Sequence, residues 1–167
     1  KKSRTELNSG ILIPKKSKKI AKLVFTKEIL MKNSRGQSTE NIIDHWVEHF
    51  NNGNLECILD MYHEGATLLP TFLPNLLSTP EQIEDYFVRT IEGQASVEID
   101  DSQTIKRKLS ENMYLMTGAY IFCINKKGNT KYLSWFTFLI DLSVDSPIRH
   151  HHSSRVPFEF ALGSSTP

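Results

Sequence analysis

Apolar residues recur along the chain with two different periods, and the change falls near Gly93. From Ser38 the period is helical: Ile42, Ile43, Trp46, Val47 and Phe50 share one face, Ser38 or Thr39 stands where a cap is needed, and Gly53 ends the run. Asn54 can cap a second, short helix through Cys57, Ile58 and Met61, which His63-Glu64-Gly65 breaks before the apolar run Ala66 to Phe72, read as a first strand. Thr79-Pro80-Glu81-Gln82 is a strong helix start, with Thr79 as cap, proline at the first helical position and Gln82 able to close a capping box. That third helix runs to about Gly93 and buries Ile83, Tyr86, Phe87 and Ile91. Beyond it the period becomes that of strands, at Val97–Ile99, Tyr114–Ile124, Tyr132–Ile140 and Ile148–Val156. Turn signals at Glu111-Asn112, Lys127-Gly128-Asn129 and Asp145-Ser146-Pro147 separate them. Helices first and a meander afterwards predict an α+β domain, a cone of three N-terminal helices packed on a curved antiparallel sheet with a cavity between the layers.

Charge divides the chain in a way the hydrophobic pattern does not. Residues 1–36 hold 11 of the 20 Lys/Arg but only Glu6 and Glu28 of the 19 acids, so this segment is strongly basic and the remainder acidic. The expected organisation is a basic, flexible extension over 1–36, the folded domain over 37–160 and a loose C-terminus over 161–167; the short apolar stretch Ile20 to Leu30 could form a peripheral helix. The basic segment lacks interleaved aromatics to stack bases, and an acidic body argues against nucleic acid as the main partner. No apolar run approaches the roughly 18 residues of a membrane span, and a soluble protein is expected. Cys57 and Cys123 form neither a disulfide framework nor a C-x-x-C pair and read as buried thiols. The chain opens on Lys1, which is compatible with a removed signal or transit peptide upstream; the compartment is not legible.

The candidate chemistry lies in the last strand, His150-His151-His152-Ser153-Ser154. Successive side chains on a strand point to opposite faces, so His150, His152 and Ser154 share a face with the apolar Ile148 and Val156 and are expected to look inward. A histidine and a hydroxyl two residues apart supply a base that is neutral near pH 7 and a donor that can grip an oxygen. The same His-x-His spacing suits a metal such as zinc, but no third or fourth ligand accompanies it, so no metal is expected. His45-Trp46-Val47-Glu48-His49 matches the inverted zinc-protease motif, yet Ile42, Ile43, Trp46 and Phe50 define the buried face and leave His45 towards solvent, so the match reads as chance. Thr71, a polar residue closing an apolar run, and Tyr120, in mid-strand, become interesting only if their hydroxyls meet a cavity.

Five fragments, Leu68-Leu69-Pro70-Thr71, Thr79-Pro80-Glu81-Gln82-Ile83 with Tyr86-Phe87, Gly118-Ala119-Tyr120-Ile121-Phe122, Phe136-Thr137-Phe138 and His151-His152-Ser153-Ser154-Arg155-Val156-Pro157, together resemble the iota-class carbonic anhydrases in order and spacing. The resemblance covers about Ser38 to Pro157. It implies the cone fold of ketosteroid-isomerase-like and nuclear-transport-factor-like proteins, shared with the association domain of calcium/calmodulin-dependent protein kinase II. It also implies reversible hydration of carbon dioxide to bicarbonate, with Thr71, Tyr120, His152 and Ser154 as the matching pocket residues. In that reading His152 takes a proton from water and Thr71, Tyr120 and Ser154 hydrogen-bond the substrate oxygens; strand alternation, not the resemblance, adds His150, and Ser153, Leu69, Phe122 and Phe138 are available to complete the substrate site. Members of that family are described both without metal and with a divalent ion, so the metal-free expectation has as its alternative a Zn or Mn ion near His150 and His152. A homodimer is expected, and the rival to catalysis is a non-catalytic association or small-ligand-binding module on the same fold.

Overall fold

Ser38 opens helix α1, Thr39–Asn51, by accepting a hydrogen bond from the Asn41 amide at 3.4 Å, in a computed structural model that describes residues 38–125 and 128–157. The readings made for 1–36, including Ile20 to Leu30, and for the last residues from 158 on lie outside the described residues. Helix α2, Leu55–Asp60, follows Asn54, whose side chain makes no capping bond. Helix α3, Pro80–Glu92, begins as its sequence predicts: Thr79 Oγ1 accepts from the Gln82 amide, and Gln82 Oε1 reaches back to the Ser78 amide at 2.9 Å.

Five strands form one sheet: β1 Tyr62–Leu69, β2 Ala95–Lys108, β3 Met113–Ile124, β4 Thr130–Asp141 and β5 Ile148–Arg155, in the spatial order β1-β5-β4-β3-β2. Strands β2 to β5 are an antiparallel meander, as their short turn signals require. The sheet as a whole is mixed, however, because β1 lies parallel to β5 at one edge. Those two strands come from opposite ends of the domain sequence, so no hairpin constrains their direction, and periodicity alone could not reveal it. Strand β1 also starts earlier than expected and contains His63-Glu64-Gly65, with a register shift between Tyr62 and Thr67. Strand β2 extends far past Ile99; its second half is polar and exposed, with a register shift between Asp100 and Ile105, and carries no apolar alternation to read.

The core fills the space between the helices and the inner sheet face. Trp46 and Phe50 from α1 stack at 5.2 Å, Phe87 from α3 meets Phe50 edge-on, and Phe122, Phe136 and Phe138 come up from the sheet. Burial of each such side chain stabilises the fold by about 1.5–3 kcal/mol. Asn51, at the end of α1, clamps the start of β2 with two bonds, accepting from the Val97 amide at 2.8 Å and donating to its carbonyl at 2.9 Å. Among the described residues no helix is long and apolar enough to cross a membrane.

Candidate functional site

Which face each residue of β5 presents is decided at Arg149. Ile140 of β4 pairs with Ile148, but the next residue back, Leu139, pairs with His150, so Arg149 is an extra residue in β5, a β-bulge. A bulge inverts the alternation beyond it. Ile148 is buried as expected, but the inward residues that follow are His151 and Ser153, only 3% and 4% exposed, opposite the buried Phe138 and Phe136. His150, His152 and Ser154 stand on the other face, paired with Leu139, Thr137 and Trp135, and are half-buried. The expectation that these three look into the interior is therefore corrected. Leu69, paired with His152 and 38% exposed, goes with them and does not line the interior.

Three polar side chains meet on the inner face, and a fourth, His151, shares that face with one of them. Thr71, in the turn after β1, and Tyr120, from the middle of β3, both hydrogen-bond the Ser153 hydroxyl, and Tyr120 is the donor in its bond. Tyr120 is held by stacking on Phe136 at 5.4 Å and 12°. Two residues along β5, the His151 ring lies flat against Phe138, with centroids 4.0 Å apart, and edge-on to Trp46. Its Nδ1 is 2.8 Å from the Tyr62 hydroxyl, which also accepts from the Trp46 indole N–H at 3.1 Å. Its Nε2 is buried and has no hydrogen-bond partner among the described residues.

Of the residues singled out in the sequence, Thr71, Tyr120 and Ser153 are joined here and Phe138 is buried nearby under His151, which strict alternation puts on the opposite face. The sequence reading misses the Trp46–Tyr62 pair: Trp46 reads only as core, and Tyr62, in the interval between a helix and a strand, carries no local signal.

Burial fixes the protonation of these groups. Desolvation, with smaller contributions from His150 and His152, holds the His151 pKa well below the usual histidine value, so the ring is neutral at pH 7. Desolvation pushes Tyr120 up to about 12, against the opposing effect of its bonds to Ser153 and Thr71. Tyr62 and Tyr86 are raised too, again by burial first, and Tyr120 acts on both. The four site groups are consequently uncharged at neutral pH, and they offer hydroxyl and imidazole hydrogen-bonding rather than charge.

Beside this cluster, between α3 and the sheet, lies a cavity of about 310 Å³ walled by Phe72, Leu73, Tyr86, Phe122 and Tyr132, with the exposed Arg89 also contributing. Phe122, one of its walls, has its ring centroid 6.3 Å from that of Tyr120. The outer-face histidines are elsewhere: His150 Nδ1 bonds Thr67 Oγ1 at 2.7 Å. His45 is exposed with its ring 6.3 Å from that of His49, and His63 Nδ1 accepts from the Gly65 amide. No group of three or more His, Cys, Asp or Glu side chains among the described residues is placed to hold a metal.

No protein-family model matches the chain, and no curated protein does. Solved structures do. A protein assigned as a calcium/calmodulin dependent protein kinase II association domain, from Xanthomonas campestris, is 28% identical, with a TM-score of 0.62 over 70% of this chain and 84% of its own. A protein of the NTF2-like family assigned as a dehydratase, from Streptomyces avermitilis, is 13% identical with a TM-score of 0.62, covering 71% of this chain and 93% of its own. A ketosteroid isomerase-like protein from Erwinia carotovora atroseptica gives 12% and 0.56 over 71% and 93%. At those identities the last two show fold alone. The described domain has the NTF2-like, ketosteroid-isomerase-like cone fold, in the α+β arrangement its sequence predicts.

Proposed function

We propose that this domain is a small-ligand-binding module of the association-domain type, which grips a small oxygen compound of the bicarbonate class with Thr71, Tyr120, Ser153 and His151. The observation that carries this reading is the buried, unpartnered Nε2 of His151, on the same inner strand face as Ser153, whose hydroxyl bonds both Thr71 and Tyr120. An unsatisfied buried polar group costs about 1–3 kcal/mol, which a ligand oxygen would offset. The association half is supported by the similarity to the Xanthomonas campestris protein and by Leu69, Leu133 and Trp135, which are 38%, 47% and 43% exposed on the sheet face away from the helices.

Calorimetric titration of the protein with sodium bicarbonate tests the binding half. Saturable binding is expected, weakened about tenfold or more by Ser153→Ala and little changed by Ser154→Ala on the outer face; equal effects of the two substitutions would remove the site from the interior. A second reading, hydration of carbon dioxide, has in its favour the resemblance of Leu68-Leu69-Pro70-Thr71 and the Tyr120 strand to the iota-class enzymes, together with the joining of Thr71 and Tyr120 at one hydroxyl. Hydroxyl donors would stabilise the charge developing on the substrate oxygens, and His151, not His152, is the imidazole on their face of β5. Stopped-flow hydration assays of the wild type and of Tyr120→Phe decide it: turnover lowered by a removed donor supports catalysis, and a background rate in both leaves the binding reading alone.

A further inference from the structure

We infer that Trp46 and Tyr62 are positioning residues that lock His151 as a hydrogen-bond donor at Nε2, so that the interior site selects a ligand presenting a bare acceptor oxygen. The inference deepens the binding reading above and rests on it for the identity of the ligand, but not for the state of the ring. It follows from counting protons along one buried chain. The indole N–H of Trp46 can only donate, and it points at the Tyr62 oxygen at 3.1 Å. The phenol has a single hydrogen of its own, and its other partner is His151 Nδ1 at 2.8 Å. If Nδ1 carried the proton, the Tyr62 oxygen would accept twice and its own hydrogen would be left in the core without an acceptor. If the phenol donates, every group from Trp46 to Nδ1 is satisfied, and the neutral ring carries its proton on Nε2. Burial backs this from the other side, since it keeps Tyr62 protonated and His151 uncharged.

Nε2 is the atom with no partner among the described residues, while the stack of its ring on Phe138 and the edge of Trp46 prevent it from turning to find one. What is left unmet is therefore one N–H donor with a fixed direction, on the same strand face as the Ser153 hydroxyl. A carboxylate, bicarbonate or carbonyl oxygen satisfies it; an ammonium, which has no lone pair, does not. The same assignment bears on catalysis, because a nitrogen that already holds its proton does not take one from water. The chain from Trp46 thus favours holding an oxygen ligand over acting as a general base.

Nitrogen-15 NMR of the histidine rings in the whole chain reads the tautomer directly. The His151 signals are expected to show an unprotonated Nδ1 and a protonated Nε2 from pH 6.5 to 8. Tyr62→Phe, which removes the donor to Nδ1 while keeping the ring, should collapse this into a mixture of both tautomers. Trp46→Phe should do so partially, with circular dichroism confirming the fold of each. A bare Nε2 in the wild type, or an unchanged tautomer in Tyr62→Phe, overturns the inference. Sodium bicarbonate added to the same wild-type sample should shift the Nε2 resonance, whereas methylammonium should not. A protonated Nε2 that ignores bicarbonate would sink the proposed ligand while leaving the ring assignment standing.

Discussion

Gly118 shows how closely the site depends on a single absent side chain. A Cβ there would lie 2.7 Å from the tip of the Phe136 ring and 2.7 Å from Thr104 Oγ1, both well inside contact distance. Phe136 is also the platform on which Tyr120 stacks, so the ring cannot yield without disturbing the hydroxyl that bonds Ser153. Gly118→Ala should therefore destabilise the domain by about 1–3 kcal/mol through overpacking, and should weaken ligand binding beyond what the stability loss accounts for. A urea midpoint equal to that of the wild type would show that the ring has room to move. Neither requirement is visible in the sequence, where Gly118 reads as an ordinary strand glycine. Tyr120 was legible as a candidate because its position in the Gly118–Phe122 fragment could be matched, not because its environment could be foreseen.

At the level of elements, the sequence spoke clearly wherever a local rule operated and was silent wherever pairing decided. Thr79-Pro80-Glu81-Gln82 names its own helix start, and the structure places both capping bonds there. Because the Thr79 bond is long, at 3.4 Å, Thr79→Ala should cost about 0.5–1 kcal/mol, the lower part of the range for such caps, measured as a shift in the denaturation midpoint. A loss above 2 kcal/mol would mean that Thr79 does more than cap. Strand β5 is the opposite case. Its periodicity is correctly anchored at Ile148, and strict alternation from there puts His150, His152 and Ser154 inside. One inserted residue, Arg149, moves His151 and Ser153 there instead. Three histidines followed by two serines give the same polar pattern in either register, so composition offers no means of detecting the bulge. The parallel β1–β5 pairing was hidden for a related reason: it is a contact between segments about 80 residues apart, and no turn announces it.

For the molecule as a whole, two properties follow from how polar and apolar groups are divided between the faces of the sheet. On the outer face the exposed Leu133 and Trp135 would be covered in a dimer of the kind proposed, so light scattering should give twice the chain mass, and Trp135→Glu should reduce it to one. A monomeric wild type would remove the association half of the proposal. On the inner face, buried titratable groups set the pH range over which the fold is stable. Below about pH 6.5 an unfolded histidine binds a proton, whereas His151 in the folded chain, its pKa held well down by burial, does not. The unfolded state then carries more protons, so stability is full above that pH and falls as pH decreases through it, by up to about 1.4 kcal/mol per pH unit for one such group. His150 and His49 are lowered by burial as well and act in the same direction, more weakly because they are partly exposed. The tyrosines set the opposite limit. Tyr120, raised to about 12, stays protonated where an unfolded tyrosine ionises near pH 10, so the unfolded state loses protons first and stability falls again as pH rises beyond about 10. Asp100 and Asp141, whose carboxyls are lowered by bonds from neighbouring Ser102 and Ser143, add their loss only below about pH 4. Urea denaturation followed from pH 5 to 11 should accordingly give a plateau between about 7 and 10, with the acid limb beginning near 6.5 rather than at the carboxylates. A midpoint that stays level down to pH 5 would mean that His151 is charged or solvated in the folded chain, and that its ring is not held there as a single neutral tautomer.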